Sequence, residues 1–159
     1  MGYRWSGIGG RSGPELNADY HVTVDMPVPG CSALRVLCVD DRADNADSEV
    51  MLLEMLGFEA RASYSGLAAL AEAERFQPHV CLIDLNMPGM NGDVLAMQLR
   101  KSLSYAPALI AVTAMSNEQS VARITEAGFD KHLIKPVDPV VLIDTLNAIH
   151  RSIGSRGEE

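Results

Sequence analysis

Five polar residues, each at the end of an apolar run of strand character, are the residues of this chain best suited to do chemistry together. They are Asp40, Asp41, Asp84, Thr113 and Lys135. In an open parallel sheet, sites form beyond the carboxyl ends of the strands, where the strand order reverses. With a strand order of 2-1-3-4-5, the first and third strands are neighbours at that point. The three carboxylates would then converge, flanked by the threonine and the lysine.

Three carboxylates in one crevice repel one another, so either a pKa rises or a cation neutralises them. A hard divalent ion suits oxygen ligands, and Mg²⁺ is favoured because it binds through one or two carboxylates and also accepts phosphate oxygens. The Asp84 carboxylate can act as a nucleophile and form an aspartyl-phosphate. Lys135 can pair with one phosphoryl oxygen, and the Thr113 hydroxyl can donate to another. The set predicts magnesium-dependent phosphoryl transfer to Asp84.

Each of these residues alone has an ordinary structural explanation. An Asp-Asp pair after a strand is often only a helix N-cap with charge facing solvent. A single Asp, Thr or Lys at a strand end indicates nothing. The prediction depends on their joint occurrence, in order, on the first, third, fourth and fifth strands.

Five strand–helix units of regular length are predicted to position these residues. Apolar runs alternate with helical patterns, which is typical of an α/β fold with a parallel sheet, helices on both faces and right-handed crossovers. The predicted strands are 34–39, 58–63, 80–84, 108–113 and 129–134, and the predicted helices are 44–56, 66–76, 93–103, 117–127 and one that begins near residue 138.

The ends of the chain differ from this regular region. Residues 1–32 are rich in Gly and Pro, which predicts a flexible N-terminal tail or linker. The alternation from Tyr20 to Met26 leaves open a second interpretation, the last strand of a preceding domain. The predicted domain covers 33–152, and 153–159 is a predicted C-terminal tail.

Composition limits the class of protein. The net charge of -8 argues against nonspecific nucleic-acid binding, which needs clustered Lys and Arg. The three cysteines include no CxxC pair, so Cys38 and Cys81, within apolar strands, are predicted to be buried thiols in a reducing cytoplasm. No apolar run approaches the ~20 residues of a membrane span, and no signal-peptide pattern is present. A cytoplasmic chain without membrane contact is expected.

Four segments together resemble the receiver domain of two-component response regulators over about residues 33–152. The block with the pattern Asp-x-x-Met-Pro-x-x-x-Gly is highly specific, and the spacing of the other three segments agrees with it. The segments are Val36–Asp41, Asp84–Gly92, Thr113–Ala114 and Lys135–Pro136.

The resemblance implies a flavodoxin-like doubly wound (βα)₅ fold. It implies that Asp84 accepts a phosphoryl group from a histidine kinase or a histidine phosphotransfer protein. Asp41, Asp84 and the backbone carbonyl of Asn86 would bind Mg²⁺ directly, and Asp40 would act mainly through water. The domain would be a phosphoacceptor switch, with slow self-dephosphorylation but no other enzymatic turnover.

The resemblance also implies a switch mechanism. Lys135 would contact the phosphoryl group, and its bond to Pro136 would be cis. Thr113 would move toward the phosphoryl group and bias the face made by the fourth helix, fifth strand and fifth helix, where a downstream protein could bind. His132 stands where the family usually has Tyr or Phe; it is either a rotating ring with added pH sensitivity or simply a partly exposed histidine. Met115, being apolar, predicts slow hydrolysis of the phosphorylated form.

Two alternatives to the phosphorylatable switch stay open at the level of function, and the context of the domain also stays open. A non-phosphorylated pseudo-receiver would normally lack part of the acid pair, the Asp or the Lys. An Asp-nucleophile phosphatase would usually have a second acid where this chain has Asn86. Because only 23 residues follow Pro136, the chain is either a stand-alone regulator or a receiver from a longer protein, such as a hybrid kinase whose ATP-binding domain ends in the strand at 20–26.

Overall fold

The computed structural model describes residues 33–114 and 117–156. Strands and helices alternate strictly along the chain, as the sequence predicts. The strands are β1 (Arg35–Val39), β2 (Glu59–Ser63), β3 (Val80–Asp84), β4 (Ala108–Thr113) and β5 (Lys131–Ile134). The helices are α1 (Ala43–Met55), α2 (Gly66–Phe76), α3 (Gly92–Ser102), α4 (Glu118–Ala127) and α5 (Pro139–Arg156).

All five strands pair in parallel in the order β2-β1-β3-β4-β5, which confirms the predicted fold class and strand order. The register explains how the site is assembled. Val39 at the end of β1 pairs with Ile83 of β3, so the next residues, Asp40 and Asp84, lie at the same level of the sheet. Strand order therefore brings together two acids that are 44 residues apart in sequence.

The sheet buries a separate apolar cluster on each face, because successive side chains of a strand point to opposite sides. In β1, Val36 and Cys38 pack in the cluster that includes Leu53 of α1 and Leu142 of α5. Leu37 and Val39 pack in the opposite cluster, with small and branched residues of α2 and α3. A fully buried leucine contributes ~1.5–3 kcal/mol, so the two clusters hold the strand ends firmly.

Polar side chains cap the N-termini of two helices. The Ser65 hydroxyl accepts a hydrogen bond from Ala68 N at 3.1 Å, and Asn117 Oδ1 accepts one from Ser120 N at 2.9 Å. Gly128 ends α4 with a left-handed φ of 83°. The cap at Asn117 and the stop at Gly128 are confirmed. Gln77 also adopts a left-handed φ of 51°, which its residue type did not indicate.

Two element boundaries differ from the predictions by more than one residue. β5 begins at Lys131, two residues later than predicted, because Phe129 N instead donates to the carbonyl of Ile124 at the end of α4. α5 continues to Arg156, into the segment expected to be a tail. The alternation at 20–26, the linker at 1–32, Cys31 and Met115 lie outside the described residues.

The two described cysteines, Cys38 and Cys81, are free and fully buried, as predicted. Among the helices at 33–114 and 117–156, none has the length and apolar character needed to cross a bilayer.

Candidate functional site

The three predicted acids meet at the carboxyl end of the sheet. One carboxylate oxygen from each of Asp40, Asp41 and Asp84 lies within 4.8 Å of the others. Asp40 and Asp84 are buried, with 3% and 8% of their surface exposed, whereas Asp41 faces solvent. The cluster is therefore closed on the side of the sheet and open on the side from which a ligand would approach.

Lys135 links the two buried acids. Its ammonium nitrogen lies 3.3 Å from Asp40 Oδ2 and 3.3 Å from Asp84 Oδ2. The lysine is held in place because its backbone N–H donates to the carbonyl of Thr113 at 2.8 Å, which joins the ends of β4 and β5. The peptide bond between Lys135 and Pro136 is cis, as the resemblance implies.

Burial and charge shift the pKa values of this cluster. Burial raises the pKa of Asp84, and the negative charge of Asp40 adds to the rise, while Lys135 opposes it. Burial alone would lower the pKa of Lys135, but the nearby Asp84 and Asp40 raise it overall. The lysine therefore stays charged, and the carboxylates still carry more negative charge than one ammonium group neutralises.

The donor set fits a hard divalent cation. Three carboxylates supply the oxygen ligands that Mg²⁺ prefers, and the exposed side of the cluster leaves room for water ligands. Asn86 lies in the loop after β3, and its backbone N–H donates to Asp84 Oδ1 at 3.4 Å. Asp40 is already engaged, because its Oδ1 accepts from Arg42 N at 2.9 Å and its Oδ2 accepts from Asn45 Nδ2 at 3.3 Å.

The two predicted switch residues lie in different surroundings. Thr113 ends β4 and is buried, with 1% of its surface exposed. His132 on the edge strand β5 is exposed and lies opposite Ala111 of β4. It borders a shallow depression whose lining residues are His132, Leu133, Ile134, Pro136, Val137, Asp138 and Val141. Its position matches the partly exposed histidine among the two interpretations, and whether the ring rotates stays a prediction.

Arg123 of α4 forms a contact with the site that the sequence did not indicate. Its Nε and Nη2 donate to Asp93 Oδ2 and Oδ1 at 3.1 and 3.2 Å, and its Nη1 donates to Asn86 Oδ1 at 3.2 Å. Burial raises the pKa of Asp93, but its hydrogen bonds and ion pair with Arg123 lower it overall. No local spacing signals a contact between residues on three separate elements, so only the fold reveals it.

Glu49 of α1 is a second residue near the site. Burial and the charge of Asp40 raise the pKa of Glu49 to about 7, while the charge of Lys135 opposes the rise. Glu49 lines a cleft of about 530 Å³, together with Asp40, Asn45, Ser48, Lys135, Pro136 and Val137. A signal was present in the sequence, because Glu49 comes three residues after Ala46 and four before Leu53, on the apolar stripe of the helix.

Comparison with known proteins identifies the family. A family profile described as the response regulator receiver domain matches residues 36–147. The chain belongs to the response regulator receiver family. The flavodoxin-like fold, the predicted family and a role in two-component signalling by phosphorelay are thereby confirmed. Receivers bind Mg²⁺ through an acidic pocket, and this receiver has an aspartate cluster of that kind.

Curated relatives of this receiver include full-length regulators. The sensory transduction protein RegX3 of Mycobacterium tuberculosis is 37% identical over 124 residues, which are 78% of this chain and 54% of the relative. The transcriptional regulatory protein PrrA of Mycobacterium leprae is 32% identical over 126 residues, 79% of this chain and 54% of the relative. The chain thus spans about half the length of the curated relatives it matches.

Solved structures agree with the receiver assignment. The chemotaxis protein CheY4 of Vibrio cholerae aligns with a TM-score of 0.70 and 26% identity, covering 74% of this chain and 99% of that one. A CheY-like receiver domain of Methanospirillum hungatei aligns with a TM-score of 0.68 and 28% identity, covering 76% and 99%.

Proposed function

We propose that this receiver is a switch in which Asp84 accepts a phosphoryl group from a histidine kinase or a histidine phosphotransfer protein. The observation that supports this most is the position of Lys135, whose ammonium group lies 3.3 Å from both Asp84 and Asp40 inside the acid cluster. A lysine so placed is next to any phosphoryl group that Asp84 acquires.

In the transfer step, Asp84 is the only residue of this protein that would form a covalent bond. A carboxylate oxygen of Asp84 attacks the phosphorus of a phosphohistidine, the phosphorus–nitrogen bond breaks, and the imidazole leaves with the electron pair and takes a proton from solvent. Catalysis of such a step comes from in-line positioning and from neutralisation of charge. Burial, with the charge of Asp40, raises the pKa of Asp84, so the site disfavours added negative charge and the transferred group needs cationic partners.

Asp41, Asp84 and the backbone carbonyl of Asn86 would hold Mg²⁺, with Asp40 acting through water. The hydrogen bonds that Asp40 already accepts from Arg42 and Asn45 support its indirect role. When bound, the ion supplies neutralisation of the acids and of the phosphoryl oxygens.

Lys135 and Thr113 would act on the phosphoryl group itself. The ammonium group of Lys135 would exchange part of its pairing with Asp84 for a phosphoryl oxygen. The Thr113 hydroxyl, at the buried end of β4, would donate to another oxygen as Thr113 moves toward the phosphoryl group. The face formed by α4, β5 and α5, with His132 at its edge, would carry this change to a downstream protein.

The domain would extend from residue 33 to the end of α5 at Arg156, rather than to residue 152, after a flexible tail or linker at 1–32. It would act in the cytoplasm as a phosphoacceptor rather than as a turnover enzyme.

Phosphorylation by acetyl phosphate with Mg²⁺ tests the proposal. Intact mass should rise by one phosphoryl group for the wild type and for Asp144→Asn, which removes an exposed acid on α5. Asp84→Asn should show no gain, because an amide cannot replace the attacking carboxylate.

Failure of the wild type to gain mass, or a gain that persists in Asp84→Asn, would overturn the assignment of the acceptor. Sustained release of phosphate from small phosphomonoesters would indicate an enzyme instead of a switch.

A further inference from the structure

We propose that Arg123 is a positioning residue of the phosphoacceptor site, which holds Asn86 in the geometry that binds the cation and ties that loop to α4. The inference rests on the proposed role of the Asn86 carbonyl in binding Mg²⁺. It assigns a function to a residue on an element that contributes no ligand to the site.

The guanidinium group of Arg123 is fixed by a two-point contact. Two of its nitrogens donate to the two oxygens of Asp93, at 3.1 and 3.2 Å. Such a paired geometry sets the plane of the group as well as its position. The side chains of Arg123 and Asp93 are only 34% and 21% exposed, so the pair is partly shielded from solvent. Asp93 is in the first turn of α3, which makes the anchor a helix and not a loop.

The third nitrogen of this group holds the loop after β3. Arg123 Nη1 donates to Asn86 Oδ1 at 3.2 Å, while the backbone N–H of Asn86 donates to Asp84 Oδ1 at 3.4 Å. Asn86 is therefore held from two directions, by its side chain and by its backbone. A residue restrained in this way loses little entropy when its carbonyl engages a cation.

The same contact connects the site to α4. Arg123 is on α4 among the residues that this helix buries against the domain, which are Ser120, Ile124 and Ala127. A movement of α4 changes the distance between Arg123 and Asn86, and a change at Asn86 acts back on α4 with equal free energy. The contact between Arg123 and Asn86 thus couples the cation site to the face formed by α4, β5 and α5. This coupling is additional to the one through Thr113.

Charge and positioning predict opposite effects when Arg123 is removed. Deleting a positive charge near a cation site reduces repulsion, so by charge alone Mg²⁺ should bind more tightly. If the residue acts by positioning Asn86, its loss should weaken Mg²⁺ binding. The sign of the change in Mg²⁺ affinity therefore distinguishes a positioning role of Arg123 from a purely electrostatic one.

The experiment measures Mg²⁺ affinity by calorimetric titration of the whole chain. Arg123→Gln should bind Mg²⁺ on the order of tenfold more weakly than the wild type, the cost typical of losing a partner that orients a ligand. Arg123→Lys should recover little of the loss, because it keeps the charge but not the paired geometry that positions Asn86. The matched control is Arg75→Gln, which breaks an exposed Arg–Glu72 pair on α2.

Amide hydrogen exchange of the metal-free protein is the second readout. The segment 85–91 should exchange faster in Arg123→Gln than in the wild type, and Arg75→Gln should match the wild type. Equal or tighter Mg²⁺ binding by Arg123→Gln, or unchanged exchange in this segment, would overturn the inference. If the wild type itself bound no Mg²⁺, the proposed function would fail, and the exchange comparison would still decide the positioning role.

Discussion

Two buried carboxylates share a single ammonium group at the centre of this receiver. Asp40 and Asp84 each lie 3.3 Å from Lys135, and Asp41 adds a third negative charge nearby. Three negative charges thus face one positive charge, which explains why burial and Asp40 together raise the pKa of Asp84 despite the lysine. The arrangement is tolerable in the folded protein because the cluster is open to solvent at Asp41.

A different residue, His79, is predicted to make stability depend on pH. Its Nδ1 accepts a hydrogen bond from Arg35 N at 2.9 Å, and burial, Arg35 and His150 lower its pKa below the usual 6.5. The folded state therefore binds fewer protons than the unfolded state, and stability should fall as the pH decreases through 6.5.

His79→Asn keeps a hydrogen-bond acceptor but does not titrate. Urea unfolding at pH 7.5 and 5.5 should show that the wild type loses stability relative to this variant at the lower pH. The difference between the two proteins isolates His79 from Glu49 and Asp84, whose raised pKa values act in the opposite direction. A difference that does not change with pH would contradict the prediction.

Residues of the site could be predicted where the chain marks them by position. Asp40, Asp84 and Lys135 follow strands, and parallel strands bring their carboxyl ends together. Arg123 could not be predicted, because its contacts depend on how α4 packs beside α3. The position of Glu49 on the apolar stripe of α1 could have been noticed in the sequence. The effect of Asp40 on the pKa of Glu49 could not, because it depends on the fold.

At the scale of elements, α3 packs closely against the strand that bears the acceptor. A Cβ on Gly92, the first residue of α3, would collide with the backbone carbonyl oxygen of Asp84 and lie 2.9 Å from Ile83 Cγ2. Gly92 N also donates to the carbonyl of Leu85 at 3.0 Å. The glycine therefore permits the close approach of helix and strand that places Asp84 at the site.

Gly92→Ala should lower the free energy of unfolding by about 1–3 kcal/mol, because the backbone around Asp84 must shift to admit the methyl group. Gly154→Ala is the matched control, since a Cβ there meets nothing within 4 Å. It should gain about 0.5–1 kcal/mol from helix propensity in α5. Chemical denaturation measures both, and equal effects of the two substitutions would refute the role of close packing.

The elements themselves were largely predictable, for reasons that differ between them. Buried parallel strands are continuous apolar runs, and β1, β3 and β4 have that pattern. β5 was predicted too long because the apolar Phe129 fits a strand pattern, whereas its N–H donates to the carbonyl of Ile124 at the end of α4. The left-handed Gln77 was missed because its residue type does not favour that conformation.

At the scale of the whole molecule, the two clusters on either side of the sheet each contain one thiol. Cys38 packs in the cluster with α1 and α5, and Cys81 packs in the cluster with α2 and α3. Both are fully buried. Burial raises the pKa of Cys81 to about 12, and burial with the charge of Glu49 raises that of Cys38 well above its usual value. The exposure of each thiol thus indicates whether the apolar cluster on its face of the sheet is still packed.

In a Cys31→Ser background, neither thiol should react with a colorimetric disulfide reagent at pH 8 until the protein opens. The reactive species is the thiolate, which both burial and the raised pKa values suppress. Labelling should be slow in native buffer, similar for the two sites, and immediate in denaturing urea. Rapid labelling of one thiol in native buffer would show that one face of the sheet opens independently.

Among residues 33–114 and 117–156 the sheet is open, so β2 and β5 each have a strand partner on one side only. Both carry charge there: Glu59 and Arg61 are exposed on β2, and Lys131 is exposed on β5. Exposed backbone of this kind can recruit strands from other molecules, and charged side chains on short strands oppose such recruitment. The two edges should therefore keep the domain from adding strands of a second chain, which opposes aggregation through its own sheet.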